Sequence, residues 1–271
     1  MLYFIIGLFL GSFLNNVAYR LKEEEKFIFS RSKCPKCKKI LNWYELIPIL
    51  SFIIQKGRCR NCKEKISIRY PLTELISGFF TFYLSKIILI NNLQSFIYFL
   101  YFLIFISTLF VLALYDLDTF YINEGVLYFG IISWLIFQLI FLKFFKPPDI
   151  DFSGGMNYLF FINNNFLSKI YLGFLATIFI LGIFTFTLGK GMGIGDAKVA
   201  FLLGLYLKSG DLILIFLIST ILGSLYGIFL LFKKRKFFQE VPFVPFIFFG
   251  TLITIFSGNL IYNKFLSFML K

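Results

Sequence analysis

The chain has 271 residues, 59% of them hydrophobic and 21% aromatic, with a formal net charge of +13 and no histidine. That usage excludes a soluble globular domain and marks an integral membrane protein. The missing histidines also exclude Ser-His, Cys-His and His-metal chemistry, so catalysis would fall to carboxylates, thiols, lysines or hydroxyls.

The first apolar run covers residues 1–20 and continues into "GSFLNNVAYRL" without a small-residue cleavage site, which predicts a retained helix and not a cleaved signal. A polar segment, 21–70, follows and holds all four cysteines. Apolar runs then predict helices at about 71–92, 95–115, 122–142, 169–188, 197–209, 211–232 and 243–263, the sixth of the eight being short for a bilayer crossing. The expected fold is an all-α polytopic membrane protein of about eight transmembrane helices, with a small zinc-binding cytoplasmic insertion between helices 1 and 2. Its expected domains are a first helix (1–20), a four-cysteine segment (21–70) and a seven-helix membrane body (71–271). No internal repeat stands out.

Arg20 to Arg69 holds 14 of the 27 Lys and Arg, and "KKRK" at 233–236 adds four. Eight alternating helices put both segments on one side, which the positive-inside rule makes cytoplasmic. The "LGKGMGIGDAK" and "YDLDTFYINE" loops fall on that side too; both termini and the segment Lys143 to Lys169 fall outside. The net charge is thus a topology signal directed at the lipid bilayer, and no nucleic-acid partner is expected.

The cysteines form two knuckles, Cys34-x2-Cys37 and Cys59-x2-Cys62, separated by 21 residues. Paired CxxC motifs at this separation place four thiolates on one tetrahedral ion, so Cys34, Cys37, Cys59 and Cys62 are expected to hold structural zinc. Disulfides are the alternative, disfavoured on a reducing cytoplasmic face. About fifty residues build only a small core alone, which suits a metal staple.

Elimination among the 14 acids leaves six near cytoplasmic helix ends: Glu45, Glu74, Asp116, Asp118, Glu124 and Asp196; Asp149, Asp151 and Asp211 are expected as solvated charges at the outer face. Two carboxylates brought together cannot both ionise, so one keeps a proton and the pair can act as base and acid on a water molecule. Asp196 opens one predicted helix and can meet an acid at the end of the third. Asp116 and Asp118 lie about 200° apart around a helix, so one of them would face Asp196, and spacing alone does not choose. The glycines of "GMGIGDAK" fit neither a P-loop nor a dinucleotide fingerprint; either they admit an extended peptide beside Asp196 or they form a tight interhelical turn. Lys198 either tunes a carboxylate or serves topology.

Gly193-Ile194-Gly195-Asp196-Ala197-Lys198 matches a GxGDxK signature, and the chain resembles the prepilin peptidases, membrane aspartic proteases of the GxGD type. Asp116 in "LYDLDTFYI" matches the other family aspartate. "GSFLNNVAYRL", "WYELIPILSFIIQKGRCRNC", "IRYPLTELISG" and "VPFVPF" resemble family segments in the same order, so the likeness covers nearly the whole chain. The resemblance implies an inner-membrane enzyme that cleaves the leader of type IV prepilins and type II secretion pseudopilins after a glycine at the cytoplasmic face. It further implies N-methylation of the new terminal residue with S-adenosylmethionine. Asp116 and Asp196 would carry cleavage; Gly57, Arg58 and Glu74 are candidates for the cofactor-binding, methylating segment. Asn123 stands where the family often has proline, which weakens the expected start of the fourth helix, and "PPDIDFSGG" reads as an outer insertion. Alternatives are a peptidase without methylation, and a transporter with a zinc knuckle.

Overall fold

The computed structural model describes residues 1–24, 32–34, 36–144, 166–188, 192–232 and 241–269. The "KKRK" loop, most of the expected outer insertion and Gly189 to Gly191 lie outside these residues. The described elements are helical, save two isolated β-bridges. They are α1 (Leu2–Lys22), a single 3-10 turn (Trp43–Glu45), α2 (Leu50–Ile54), α3 (Arg69–Ile87) and α4 (Leu93–Thr119), then α5 (Glu124–Phe144), α6 (Phe166–Phe186), α7 (Ile194–Tyr206), α8 (Ser209–Phe232) and α9 (Val244–Met269).

Each of the eight expected apolar segments falls on a helix, but only five described helices are long and apolar enough to cross a membrane: Leu2–Lys22, Leu93–Thr119, Glu124–Lys143, Phe166–Phe186 and Ser209–Leu230. The others depart for physical reasons. The 13 residues of α7 reach about 20 Å, short of a bilayer core. α3 buries Thr73, Glu74, Ser77 and Thr81 along one face, and the apolar stretch of α9 is Val244–Gly258.

Two compact units divide the chain, Met1–Lys86 and Ile87–Lys271. In the first, α1 and α3 approach through small residues: a Cβ on Gly7 would lie 2.6 Å from the Ser77 carbonyl oxygen, and one on Gly11 2.8 Å from Glu74 Cα. Glycines four apart let the two backbones touch, as in tightly packed membrane helices. This contact sets Glu74 beside the middle of α1.

The second unit is built around α4, whose buried face runs from Ser95 to Asp116. α4 packs on α5 and α9, α5 on α7, α6 on α7, and α8 on α9. Asn92 starts α4 by accepting from the Ser95 N–H at 2.8 Å, while Ser95 Oγ accepts from the Asn92 N–H at 3.2 Å, a reciprocal cap. At its other end Phe120 adopts a left-handed φ of 58° and donates its N–H to the Asp116 carbonyl at 2.9 Å. That closure ends the helix one turn after Asp116. Asn123, expected to weaken this helix start, accepts from the Val126 N–H at 3.1 Å and caps α5, so the helix starts cleanly at Glu124.

α7 is wedged against α6, with a Cβ on Gly204 placed 2.5 Å from Gly173 Cα. Its short length leaves carbonyls at Tyr206 and Leu207 in the interior, and the buried Lys169 ammonium donates to Leu207 O at 2.8 Å. Asp211, expected as a solvated outer charge, is 8% exposed and interacts electrostatically with Lys169 and Lys208. The reason is that the truncated α7 ends inside the unit, and its carbonyls require a buried cation.

Candidate active site and metal centre

The fold brings Asp116 and Asp196 together by ending α4 and starting α7 at one level. Both carboxylates are buried, at 6% and 9% exposure, and Asp116 lies within electrostatic reach of Asp196. Each is held by one oxygen at a helix N-terminus. Asp116 Oδ2 accepts from the Val244 N–H at 3.1 Å, the first residue of α9. Asp196 Oδ2 accepts from the N–H of Gly193, the N-cap of its own helix, at 2.9 Å. First-turn N–H groups have no intrahelical partner and favour a carboxylate, so both acids are fixed in rotamer. Among the described residues neither Oδ1 carries a hydrogen bond, which leaves one oxygen of each acid for water or substrate. Asp118 is half-buried two positions on; geometry therefore selects Asp116 as the acid facing α7.

The glycines have a role the sequence does not disclose. A Cβ on Gly195 would sit 2.6 Å from Ile122 Cγ1. The open face of Gly195 is occupied by the chain's own turn between α4 and α5, and the close approach draws the Asp116 end of α4 onto the start of α7. Lys198 pairs with Glu124, the first residue of α5, and reinforces the same junction. Both side chains are substantially exposed, so the pair contributes little energy. Val244 was missed as a site residue. Its signal was present in "VPFVPF", where the prolines mark a helix start and so an unpaired N–H able to hold an acid.

In the first unit the four cysteines converge, with one sulfur from each all within 4.8 Å of one another. Cys34 and Cys62 sulfurs lie 3.9 Å apart, and all four thiols are free. Four thiolates at about 2.3 Å from a tetrahedral ion stand about 3.8 Å from each other, so the residues fit a metal of that kind. The two knuckles share one hydrogen-bonding scheme. Cys34 N–H donates to Lys39 O and Lys38 N–H to Cys34 O, both at 2.9 Å; Cys59 N–H donates to Glu64 O at 2.9 Å and Lys63 N–H to Cys59 O at 3.0 Å. Lys38 and Lys63 both take a left-handed φ, 57° and 58°.

Backbone donors aim at the sulfurs. The Lys39 N–H, then the Asn61 side chain, bring the Cys37 thiol down to about 6, and the N–H groups of Cys62 and Asn61 lower Cys59. At Cys62 the Glu64 N–H acts in the same direction, but burial and the three neighbouring sulfurs push the thiol up to about 11. Crowded thiolates resist the last ionisation, and a bound cation relieves that repulsion.

Beside the knuckles is a cavity of about 490 Å³, lined among others by Ser12, Asn16, Glu45, Phe52, Ile66 and Glu74. Glu45 and Glu74 are its two buried carboxylates, at 8% and 6% exposure. Glu45 Oε2 accepts from the Asn42 N–H at 2.9 Å, and Glu74 Oε2 from the Ile49 N–H at 2.7 Å. Glu74 also bonds the Ser12 side chain. Gly57 and Arg58 are not among the lining residues. Gly57 instead makes the turn before Cys59 at φ +65°, donating to Phe52 O at 2.9 Å and accepting from the Ile66 N–H at 2.8 Å, and so fixes two residues that do line it.

Comparison with known proteins covers both units. A model of the Bacterial Peptidase A24 N-terminal domain matches residues 5–87, and one of the Type IV leader peptidase family matches residues 103–228. The chain is 31% identical over 272 residues to the prepilin leader peptidase/N-methyltransferase of Bacillus subtilis (strain 168), covering 99% of this chain and 96% of that protein. It is 30% identical to the protein of the same name from Vibrio cholerae serotype O1, over 96% of this chain and 97% of the relative. For the one from Pseudomonas putida the identity is 27%, over 95% and 90%. No solved structure matches the chain.

Proposed function

The chain belongs to the type IV leader peptidase family, and from that premise we propose that it is a bacterial inner-membrane enzyme that removes the leader peptide of type IV prepilins and type II secretion pseudopilins and then N-methylates the new terminal residue. The observation that carries this reading is the pair of buried carboxylates, Asp116 and Asp196, each held at a helix N-terminus by one oxygen with the other left open. One acid takes a proton from a water molecule as that water attacks the scissile carbonyl; the other protonates the leaving amine. Two oxygens in fixed rotamers supply the orientation that such a step needs.

The eight-segment topology is kept, with α3 and α9 joining the five apolar helices as full crossings and the 13-residue α7 as a short segment inside the second unit, and with the basic knuckle segment and the acid pair on the cytoplasmic face. Cleavage is assigned to the second unit and methylation to the first. The knuckle ion is zinc in a structural role, favoured by the all-thiolate donor set. S-adenosylmethionine supplies an electrophilic methyl group, and the cavity of about 490 Å³ beside the knuckles suits a ligand of that size. Its buried Glu45 carboxylate matches a cationic donor. Glu74 acts there directly, while Gly57 and Arg58 act through the turn that sets Phe52 and Ile66.

The purified protein, reconstituted in lipid, should convert a full-length prepilin to a shortened product with a methylated N-terminus, read by mass spectrometry. A shortened but unmethylated product in the presence of donor would leave a peptidase alone. An intact prepilin would overturn the reading.

A further inference from the structure

We infer that Glu74 is the base of the methylation step, taking the proton from the α-ammonium of the trimmed substrate in the cavity of the first unit; this rests on the methylation reading above. A peptide α-ammonium titrates near 7.7–8.0, so at neutral pH most termini are protonated and carry no lone pair for attack. A base is therefore required at the point where the amine is held. Of the two buried carboxylates in the cavity, Glu45 belongs to the 3-10 turn of the soluble segment, whereas Glu74 projects from α3 beside Gly11 and Ser12 of α1. It is thus the one on the membrane helices, where a substrate cleaved at the membrane face would present its amine. The Ile49 N–H and the Ser12 side chain fix its orientation. Ile49 itself has φ 60°, so the loop carrying that N–H is held in a strained conformation to meet the carboxylate.

The step balances. The ammonium proton passes to Glu74; the freed lone pair forms the N–C bond as the donor's S–C bond breaks and its electrons return to sulfur. The methylated amine keeps its charge, and Glu74 later releases its proton to water. The cavity's other ionisable groups are Tyr19 and Arg20 of α1, Tyr70 of α3, Glu45, and from the knuckles Lys33, Lys36, Lys38, Glu64 and Lys65 with the thiols of Cys34 and Cys59. Variants that differ only at residue 74 share all of these, so their titrations cancel in the comparison.

The test uses the full chain in lipid, a synthetic pilin peptide that already begins at the mature residue, and S-adenosylmethionine, with methylation followed from pH 7 to pH 9. Glu74→Gln keeps an acceptor for the Ile49 N–H but cannot take a proton. It should cleave prepilin within about twofold of wild type and methylate about sevenfold more slowly at pH 7, where about one seventh of the amine is free. Its rate should climb about sevenfold by pH 9, the growth in free-amine fraction for a pKa near 7.8, while wild type and Glu74→Asp change by less than about twofold. Equilibrium binding of S-adenosylmethionine should stay within about threefold of wild type, as expected for a residue that serves the amine and not the donor. Wild-type rates at pH 7 in Glu74→Gln, a deficit independent of pH, or equal loss of cleavage and methylation would overturn the inference. A wild-type protein that cleaves but never methylates would remove the methylation reading and this inference together.

Discussion

Gly195 offers the most demanding check on how the acid pair is assembled. In Gly195→Ala the new Cβ would meet Ile122 Cγ1 at 2.6 Å, against the 3.4 Å at which ordinary contact begins, so the junction must open by about 0.8 Å. Overpacking of this kind costs about 1–3 kcal/mol. The strain falls directly between the turn after Asp116 and the helix that starts at Asp196, and a shift near 1 Å in a reacting group can lower a rate about 100-fold. Cleavage of a prepilin by Gly195→Ala should therefore drop about 10- to 100-fold in a single-turnover assay, with helical content unchanged by circular dichroism. Ile122→Ala removes Cγ1 and leaves Cβ at 3.6 Å, an ordinary contact. The double variant should then recover to within about fivefold of wild type. Normal cleavage by Gly195→Ala, or no recovery in the double variant, would refute the close-approach argument and return the glycine to a role toward the substrate.

Other consequences follow from the packing and the metal site. Gly204→Val would drive a side chain into the Gly173 backbone, 2.5 Å from the Cβ position, and should destabilise the α6–α7 pair by more than about 2 kcal/mol, seen as a lower unfolding temperature in detergent. Lys169→Met leaves the Leu207 carbonyl without its donor and Asp211 with Lys208 alone, and should cost about 1–3 kcal/mol in the same assay; an unchanged unfolding temperature would contradict the capping role. Elemental analysis should find one zinc per chain. Cys59→Ser, or a strong chelator, should lower that content and loosen the first unit to proteolysis, while leaving the unfolding of the second in place.

Much of this was legible in the sequence because the signals are local. Apolar run length put a helix under each of the eight expected segments, five of them long and apolar enough to cross a membrane, and the CxxC spacing located the sulfur cluster. Asp196 stood out because an acid next to a glycine-rich helix start is a backbone-level feature. What stayed hidden depends on partners distant in the chain. The Val244 N–H that orients Asp116 lies 128 residues away. Asp211 reads as a surface charge until α7 is seen to end inside the unit. Asn123 reads as a departure from a proline pattern, yet its side chain does the same local work by capping α5. The glycine of the GxGD segment could be read as room for a ligand; only the fold shows Ile122 in that room.

The central claim is that Asp116 and Asp196 form one catalytic pair, and the most direct measurement is leader cleavage by Asp116→Asn and Asp196→Asn alone and combined, in lipid, with Asp118→Asn as the control. Each single variant should lose cleavage as completely as the double, since two groups acting on one water are not additive, while Asp118→Asn cleaves and all four bind zinc as wild type does. Substantial cleavage by either single variant, or loss on replacing Asp118, would contradict the account.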